Sequence, residues 1–173
     1  MDLHLKGKKV FISGSTKGIG FETARLFLEE GATVIINGRT KKSVESALSS
    51  LNSDNVSGLV ADFLKDSQVE TLIDNIPNDI DILVNNVGIF RVKDFKDETI
   101  DDWNDHFKVN LMSGVQLSKH FLPEMIKRNW GRIIFISSEC ATLVPSDLLS
   151  YSVSKASINV FSSGLAKLTK GTN

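Results

Sequence analysis

The sequence has few of the residues that stabilise small secreted or metal-binding proteins. It contains one cysteine, three prolines and three histidines in 173 residues. One cysteine cannot form a disulfide within the chain, and three scattered histidines lack the spacing of a zinc site. No stretch approaches the roughly 18 apolar residues of a membrane span, and the first ten residues lack the apolar run of about 7–15 residues of a signal peptide. We therefore expect a cytoplasmic protein with no metal site.

An excess of charge of one sign is also absent. Lys and Arg number 20 against 21 Asp and Glu, which gives a net charge of −1. This balance gives no long-range attraction to nucleic acid or to an anionic membrane surface, so neither is an expected partner. The composition, 41% apolar and 24% charged, is typical of a globular protein, and the length favours one domain over residues 1–173.

Short apolar runs alternate along the chain with longer helical patterns. Many of the runs are continuously apolar, as in strands that a parallel sheet buries on both faces. Thr40 and Ser67 are predicted helix N-caps. The alternation predicts an α/β fold, a doubly wound parallel sheet of five strands. The predicted strands are 9–13, 32–36, 56–60, 80–85 and 132–137, and the predicted helices are 18–30, 41–51, 66–76, 100–127 (two helices) and 150–168.

A glycine-rich segment joins the first predicted strand to the first helix. Its spacing, Gly14-x-x-x-Gly18-x-Gly20, differs from the common Gly-x-Gly-x-x-Gly dinucleotide fingerprint. Glycine permits a close backbone approach, and a helix N-terminus offers free N–H groups to a pyrophosphate. A tight turn without a ligand is the alternative, but the position in the first strand–helix turn favours dinucleotide binding. The candidate cofactor residues here are Gly14, Ser15, Thr16, Lys17, Gly18, Ile19 and Gly20.

The end of the second predicted strand indicates which dinucleotide binds. NAD-binding proteins place an acidic residue about 20 residues after the glycines, on the ribose 2′-hydroxyl. Here the sequence has Asn37, Gly38 and Arg39, and the next acidic residue, Glu45, lies inside a predicted helix. An arginine can bind a 2′-phosphate through two charge-assisted hydrogen bonds, and Lys17 can add a second cation. Both could instead be solvated surface charges, but the pattern favours NADP(H).

Tyr151 and Lys155 form a candidate acid–base pair. Tyr151 is the only tyrosine of the sequence, and Lys155 follows it by four residues in a predicted helix. Residues so spaced share one helix face. An unperturbed tyrosine ionises near pH ~10, and a nearby cation in a partly desolvated site stabilises the phenolate. The same spacing also arises by chance, so the pair indicates chemistry only together with other motifs.

Those other motifs occur in order along the chain. Asn85-Asn86-Val87-Gly88 follows the fourth predicted strand, and Asn110 and Ser138 precede Tyr151. With these motifs the sequence resembles the short-chain dehydrogenase/reductase family over essentially its whole length. The resemblance implies a Rossmann-type fold, a nicotinamide cofactor and a catalytic tetrad of Asn110, Ser138, Tyr151 and Lys155. Two departures, Ser13 for the usual threonine and Val87 for the usual alanine, leave this expectation intact.

The resemblance also implies roles for the tetrad. Tyr151 exchanges a proton with the substrate oxygen, and Ser138 hydrogen-bonds that oxygen. Lys155 stabilises the tyrosinate and holds the nicotinamide ribose, while the backbone carbonyl of Asn110 anchors a relay water. The neighbouring Ser137 is the alternative to Ser138, and the spacing favours Ser138.

Further cofactor contacts are implied in the loops after the third and fourth strands. Asn85 is expected to tie neighbouring strands together, and no role is assigned to the histidines at positions 4, 106 and 120. The implied contacts are Asp62 and Phe63 at the adenine and Asn86, Val87 and Gly88 at the adenosine ribose, besides Tyr151 and Lys155.

The resemblance also sets expectations about size and partners. Members of the family are longer than this chain, so their last strands and the substrate lid are expected to be absent, leaving a Rossmann domain incomplete at its C-terminus. The implied activity is NADP(H)-dependent interconversion of a small-molecule carbonyl and alcohol by a homodimer or homotetramer. Ile89, Phe90, Leu143 and Val144 favour an apolar substrate. The alternative function is a dinucleotide-binding sensor, or an inactive truncated fragment, without turnover.

Overall fold

A computed structural model describes residues 2–172 and has one parallel sheet flanked by helices. The strand order is β3-β2-β1-β4-β5, and each neighbouring pair is parallel. This is the predicted Rossmann-type, doubly wound arrangement of five strands. The strands are β1 Lys9–Ile12, β2 Thr33–Gly38, β3 Val56–Val60, β4 Ile82–Asn85 and β5 Arg132–Phe135.

Six α-helices connect or follow the strands. Helices α1 and α2 cover one face of the sheet, and α3 and α5 cover the other. None of the helices in the described part of the chain is long and apolar enough to cross a membrane. The helices are α1 Gly18–Glu29, α2 Lys41–Leu51, α3 Asp66–Asn75, α4 Ile100–His106, α5 Ser113–Lys127 and α6 Leu149–Leu168.

The apolar runs of β1, β2 and β4 form strands because both faces of the middle of the sheet are covered. In β1, Val10 and Ile12 pack towards α1 and α2, whereas Phe11 packs with Leu117 and Phe121 of α5. The four residues of β4 are all buried. A strand packed on both faces needs no alternation of polar residues, which is why the pattern in the sequence predicted the strands correctly.

The two predicted N-caps have different outcomes. The side chain of Thr40 accepts a hydrogen bond from the backbone N–H of Ser43 and begins α2, as expected. The prediction for Ser67 is wrong, because α3 already begins at Asp66 and its N-cap, Lys65, makes no side-chain capping bond. Asp66 supplies a negative charge in the first turn of α3, where it interacts favourably with the helix dipole.

The region predicted as two helices contains α4 and α5, joined by a π-helical turn over Phe107–Met112 instead of a loop. A π-helical turn accommodates one extra residue and commonly marks a functional site. This turn places Asn110 facing α6.

The fifth strand forms one edge of the sheet. It pairs with β4 through Ile82–Arg132 to Asn85–Phe135, and no other strand of residues 2–172 pairs with it. Ile134 is 41% exposed. An apolar edge of this kind is a ready template for a further strand.

Candidate active site

The loops that leave the carboxyl ends of the strands enclose a cavity of about 690 Å³, which we call the cofactor cleft. This end of a doubly wound sheet is where such folds bind ligands, and the volume suits a small ligand. The predicted cofactor residues that line it are Gly14, Thr16, Lys17, Gly18, Ile19, Arg39, Asp62, Phe63, Asn86, Val87 and Gly88.

Ser15 does not line the cleft. It is fully buried, its hydroxyl donates to the carbonyl of Ile12 at 2.6 Å, and it accepts from the N–H of Asn37 at 3.0 Å. The side chain of Asn37 in turn accepts from the N–H of Gly14 at 3.0 Å. Ser15 and Asn37 therefore shape the glycine loop by tying β1 to β2. Sequence reasoning did not identify Asn37, although an Asn at the end of a buried strand needs a hydrogen-bond partner.

The loop after β4 is held against the glycine loop by side chains. Ser13 Oγ accepts from the N–H groups of Asn86 and Val87 at 3.0 and 3.1 Å. The amide of Asn86 donates to the carbonyls of Ser13 and Gly14 at 3.0 and 2.8 Å. Asn85 was expected to tie neighbouring strands together, and its backbone does so: it pairs with Phe135 of β5, and its carbonyl accepts from the N–H of Ile136 at 2.9 Å. The buried side-chain amide of Asn85 has no hydrogen-bond partner in the described chain.

Two of the glycines are required by close approach. A Cβ on Gly14, whose φ is +61°, would lie 2.8 Å from the Cα of Val87. A Cβ on Gly20 would clash with Nδ2 of Asn86 and would lie 2.9 Å from the carbonyl oxygen of Gly14. Gly20 itself does not line the cleft, because it is buried where α1 meets the two loops.

Lys17 and Arg39 are exposed at the cleft. Within residues 2–172 neither cation forms a salt bridge. No carboxylate stands at the end of β2, where Asn37 and Gly38 precede Arg39, and Asn37 is committed to the glycine loop. The cleft thus presents two cations that form no salt bridge within residues 2–172.

Asp62 and Phe63 lie at the far side of the cleft. The Asp62 carboxylate accepts from the N–H of Leu64 at 3.1 Å, and the backbone N–H of Asp62 donates to the side-chain oxygen of Gln68. Phe63 is almost fully buried in the core under β3, so it can present mainly its backbone to a ligand.

The residues predicted to be catalytic lie near the crossing of α6 and the π-helical turn. Asn110 Oδ1 accepts from the N–H of Ile89 at 2.8 Å, and its Nδ2 donates to the carbonyl of Ile89 and to Ser154 Oγ at 3.0 and 2.9 Å. A Cβ placed on Gly88 would lie 3.4 Å from Asn110 Oδ1 and 3.5 Å from Lys155 Nζ. The loop after β4, the π-helical turn and α6 therefore converge on one point.

Lys155 is only 5% exposed, and its ammonium donates to the carbonyl of Ile136 at 2.8 Å. Burial lowers the pKa of Lys155, because a desolvated ammonium is less stable than a hydrated one. Its Nζ lies 6.0 Å from the centre of the Tyr151 ring. The helix spacing thus places the ammonium of Lys155 and the ring of Tyr151 on the same side of α6, as predicted.

Ser138 lies at the turn after β5, where it begins the 3-10 turn Glu139–Ala141. Its Oγ accepts from the N–H of Cys140 at 3.2 Å, which leaves its hydroxyl proton free to donate. The neighbouring Ser137 donates to the backbone carbonyl of Lys155 instead, at 3.5 Å. We call Asn110, Ser138, Tyr151, Ser154 and Lys155 the catalytic cluster.

His106 is the residue at this site that sequence reasoning missed. Its ring is fully buried, lies 6.3 Å from that of Tyr151 and hydrogen-bonds Ser150 at 2.8 Å. The sequence holds only a weak signal for it, since one histidine on an otherwise ordinary helix face usually has a structural role.

Comparison with known proteins gives a family and several relatives. The family model described as short chain dehydrogenase matches residues 8–173. The uncharacterized oxidoreductase YvrD of Bacillus subtilis is 46% identical over 176 residues, which cover 100% of this chain and 67% of the relative. The 3-oxoacyl-[acyl-carrier-protein] reductase FabG of Aquifex aeolicus is 35% identical over 96% of this chain and 70% of its own length.

A solved structure extends the comparison to the fold. It comes from Beutenbergia cavernae, is described as an NAD(P)-dependent gluconate 5-dehydrogenase, and contains NADP at low occupancy. It superposes with a TM-score of 0.84 at 25% identity, over 94% of this chain and 67% of its own. The chain thus spans about two thirds of the length of these relatives, and it belongs to the short-chain dehydrogenase family of oxidoreductases.

Proposed function

We propose that this chain forms the cofactor-binding and catalytic part of an NADP(H)-dependent oxidoreductase that interconverts a carbonyl compound and a secondary alcohol. The observation that carries the proposal is the position of Lys155. Its buried ammonium lies beside the Tyr151 ring and the backbone of Gly88, where the catalytic cluster meets the loop that borders the cofactor cleft.

Proton transfer is the task of Tyr151. Its ring is half-buried, and its phenol can donate a proton to a developing alkoxide in reduction or accept one in oxidation. The Lys155 ammonium stabilises the phenolate in both directions. Ser138 donates a hydrogen bond to the same substrate oxygen and fixes its position. The side chain of Asn110 ties the loop after β4 to α6, and its backbone carbonyl is the proposed anchor of a relay water.

The cleft fits a nicotinamide dinucleotide phosphate. When bound, the nicotinamide supplies or accepts the hydride. The N-terminus of α1 suits the pyrophosphate, since its N-cap Lys17 makes no side-chain capping bond and Gly18 and Ile19 line the cleft, so that backbone N–H groups are available there. Lys17 and Arg39 suit a 2′-phosphate because neither is neutralised by an acidic side chain of the described chain. The NADP found in the Beutenbergia cavernae structure supports this choice.

The surface next to Tyr151 favours an apolar substrate. Phe90 packs edge-to-face on the Tyr151 ring at 6.0 Å and is 67% exposed. Leu143 and Val144, in the loop after β5, are 71% and 53% exposed. These side chains would lose contact with water on binding an apolar ketone or alcohol, which contributes binding free energy roughly in proportion to the apolar area covered.

A homodimer or homotetramer is part of the proposal. Val153 and Val160 on α6 and Ile126 on α5 are exposed, and contact with a second copy would bury such side chains. Light scattering at micromolar concentration measures the assembly, and a monomer would contradict this part.

The test of the function is turnover. The protein that carries this chain is purified and incubated with NADPH and a panel of apolar and polar ketones, and NADPH oxidation is followed by absorbance. We expect turnover with apolar ketones, slower turnover with NADH, and the reverse reaction with the matching alcohols. Tight NADPH binding without turnover across the panel would instead indicate a dinucleotide sensor.

A further inference from the structure

A buried polar chain lies behind Tyr151. Ser150, the residue before the tyrosine, donates its hydroxyl to Glu98 Oε1 at 2.5 Å and its backbone N–H to the same oxygen at 3.3 Å. His106 Nδ1 lies 2.8 Å from Ser150 Oγ. Ser150 and His106 are both fully buried.

The chemistry of these groups fixes the direction of the hydrogen bonds. A carboxylate only accepts, so Ser150 gives its one hydroxyl proton to Glu98 and must accept from His106. His106 therefore carries a proton on Nδ1, as the neutral Nδ1 tautomer does, and its Nε2 is buried without a hydrogen-bond partner in the described chain. Burial lowers the pKa of His106 and favours this neutral form, and the nearby Arg91 lowers it further.

The groups facing His106 come from two elements. Asp102 and Asp105 of α4 and Glu98 just before that helix raise the pKa of His106, against burial and Arg91. Asp102 is held in place by Lys93 and by a capping box with Thr99, and these hydrogen bonds hold its pKa well below the usual range. The start of α4 is thus anchored one helical turn before His106.

His106 is the fixed neighbour of the reacting tyrosine. Two rings contact Tyr151 edge-to-face, Phe90 at 6.0 Å and His106 at 6.3 Å. Phe90 is 67% exposed, whereas His106 is buried and hydrogen-bonded to the first turn of α6. The geometry of the phenol relative to a substrate therefore depends on His106.

We propose that His106 is a positioning residue for the reaction, which sets the orientation of Tyr151 through its ring contact and through its hydrogen bond to Ser150 and Glu98. This proposal rests on the proposed function, because positioning matters only if Tyr151 transfers a proton. A displacement of about 1 Å at a reacting group can cost on the order of 100-fold in rate. The effect of His106 should therefore appear in kcat and not in NADPH affinity.

The test compares two substitutions in the protein that carries this chain. His106→Leu removes the hydrogen-bond donor and fills the same space with an apolar side chain of similar size. His106→Asn keeps an N–H attached to Cγ, at the position of Nδ1, and can still donate to Ser150. We expect His106→Leu to lower kcat at least tenfold with the Kd for NADPH within twofold of the parent, and His106→Asn to recover most of kcat. The midpoint of the pH profile of alcohol oxidation should stay unchanged in both.

His120→Leu is the matched control. His120 packs edge-to-face on Phe121 of α5, away from the catalytic cluster, so its substitution should leave kcat unchanged. Ser150→Ala removes the bridging hydroxyl without changing His106. If His106→Leu does not fold, kcat is measured in Ser150→Ala instead. Its kcat should fall several-fold.

An NMR measurement that needs no turnover tests the role of His106 separately from the proposed function. Tyrosine labelled with ¹³C at Cζ gives a Tyr151 resonance that Tyr151→Phe identifies by its loss. We expect one narrow Tyr151 resonance in the parent and in His106→Asn, and broadening or doubling in His106→Leu.

A parent that oxidises no NADPH with any ketone contradicts the proposed function, and the Tyr151 resonance alone then decides whether His106 positions the ring. A narrow resonance in His106→Leu, a kcat within twofold of the parent, or equal losses in the Leu and Asn variants would overturn the inference.

Discussion

The cofactor cleft and the catalytic cluster are built in opposite ways. The cleft is shaped mainly by backbone: glycines that tolerate no side chain, loops tied by the buried Ser13 and Ser15, and two exposed cations at its rim. The catalytic cluster is built from side chains, with Asn110, Ser154 and Lys155 buried and hydrogen-bonded to the loops that surround them.

This difference predicts where substitutions act. An exposed cation at the rim of the cleft can be removed without disturbing its neighbours, so its loss should change the affinity for one chemical group only. A buried member of the catalytic cluster contributes to both reaction and packing, so its loss should change turnover and stability together. The three predictions below test this contrast, from the largest expected effect to the smallest.

The largest effect should come from Tyr151→Phe. The substitution removes only the hydroxyl, while the ring keeps its contacts with Phe90 and His106. General acid–base catalysis contributes about 10²–10⁴-fold, so kcat should fall by at least about 100-fold. NADPH binding, followed by fluorescence, and the melting temperature should stay near those of the parent. A variant that keeps more than a tenth of the parent turnover, with chemistry rate-limiting, would show that Tyr151 is not the proton donor.

A smaller effect, confined to affinity, should follow from Arg39→Ala. A charge-assisted contact to a phosphate contributes about 1.5–3 kcal/mol, so the Kd for NADPH should rise roughly tenfold or more. The Kd for NADH should hardly change, because NADH has no 2′-phosphate. Lys41→Ala is the matched control, since Lys41 is exposed, pairs with Glu45 at 3.7 Å and does not line the cleft. Equal loss of affinity for both cofactors would exclude a role at the phosphate.

The smallest effect should be a gain of stability in Lys155→Met. The pKa of Lys155 is lowered in the folded state, so burial of its ammonium costs stability at every pH below that pKa. The cost disappears as the pH rises towards about 10.4, where the lysine of the unfolded chain also loses its proton. Replacing a buried charge by an apolar side chain of similar size should stabilise the cofactor-free protein by about 1 kcal/mol at pH 7.

Urea unfolding at several pH values measures this difference. The advantage of Lys155→Met over the parent should shrink as the pH rises from 7 to 10, while its turnover is lost at all pH values. A variant less stable than the parent at pH 7 would show that the hydrogen bond from Lys155 to Ile136 outweighs the cost of desolvation.

Local patterns in the sequence predicted the sheet and its helices well. Residues 41–51 and 56–60 were predicted with the bounds that α2 and β3 have in the structure. The error at Ser67 arose because several polar residues near position 66 can begin a helix, and α3 begins at Asp66 after an N-cap, Lys65, that makes no side-chain capping bond and so leaves no signal in the sequence. The hydrogen bonds from the side chain of Asn86 to the glycine loop were not predicted, since adjacent residues at a strand end point in opposite directions and the sequence does not say which one meets that loop.

The sequence by itself determined the α/β alternation, the glycine loop and the Tyr151–Lys155 spacing, because each depends on residues close together in the chain. Only the tertiary structure decided which side chains of distant segments share one buried space. Asn37 reaches the loop after β1, Asn110 reaches α6, and His106 reaches Ser150, 44 residues further along the chain. These contacts depend on the crossing of α6 over the π-helical turn and on the order of strands in the sheet. No local periodicity encodes them, since a buried polar group requires a partner but does not specify where in the sequence that partner lies.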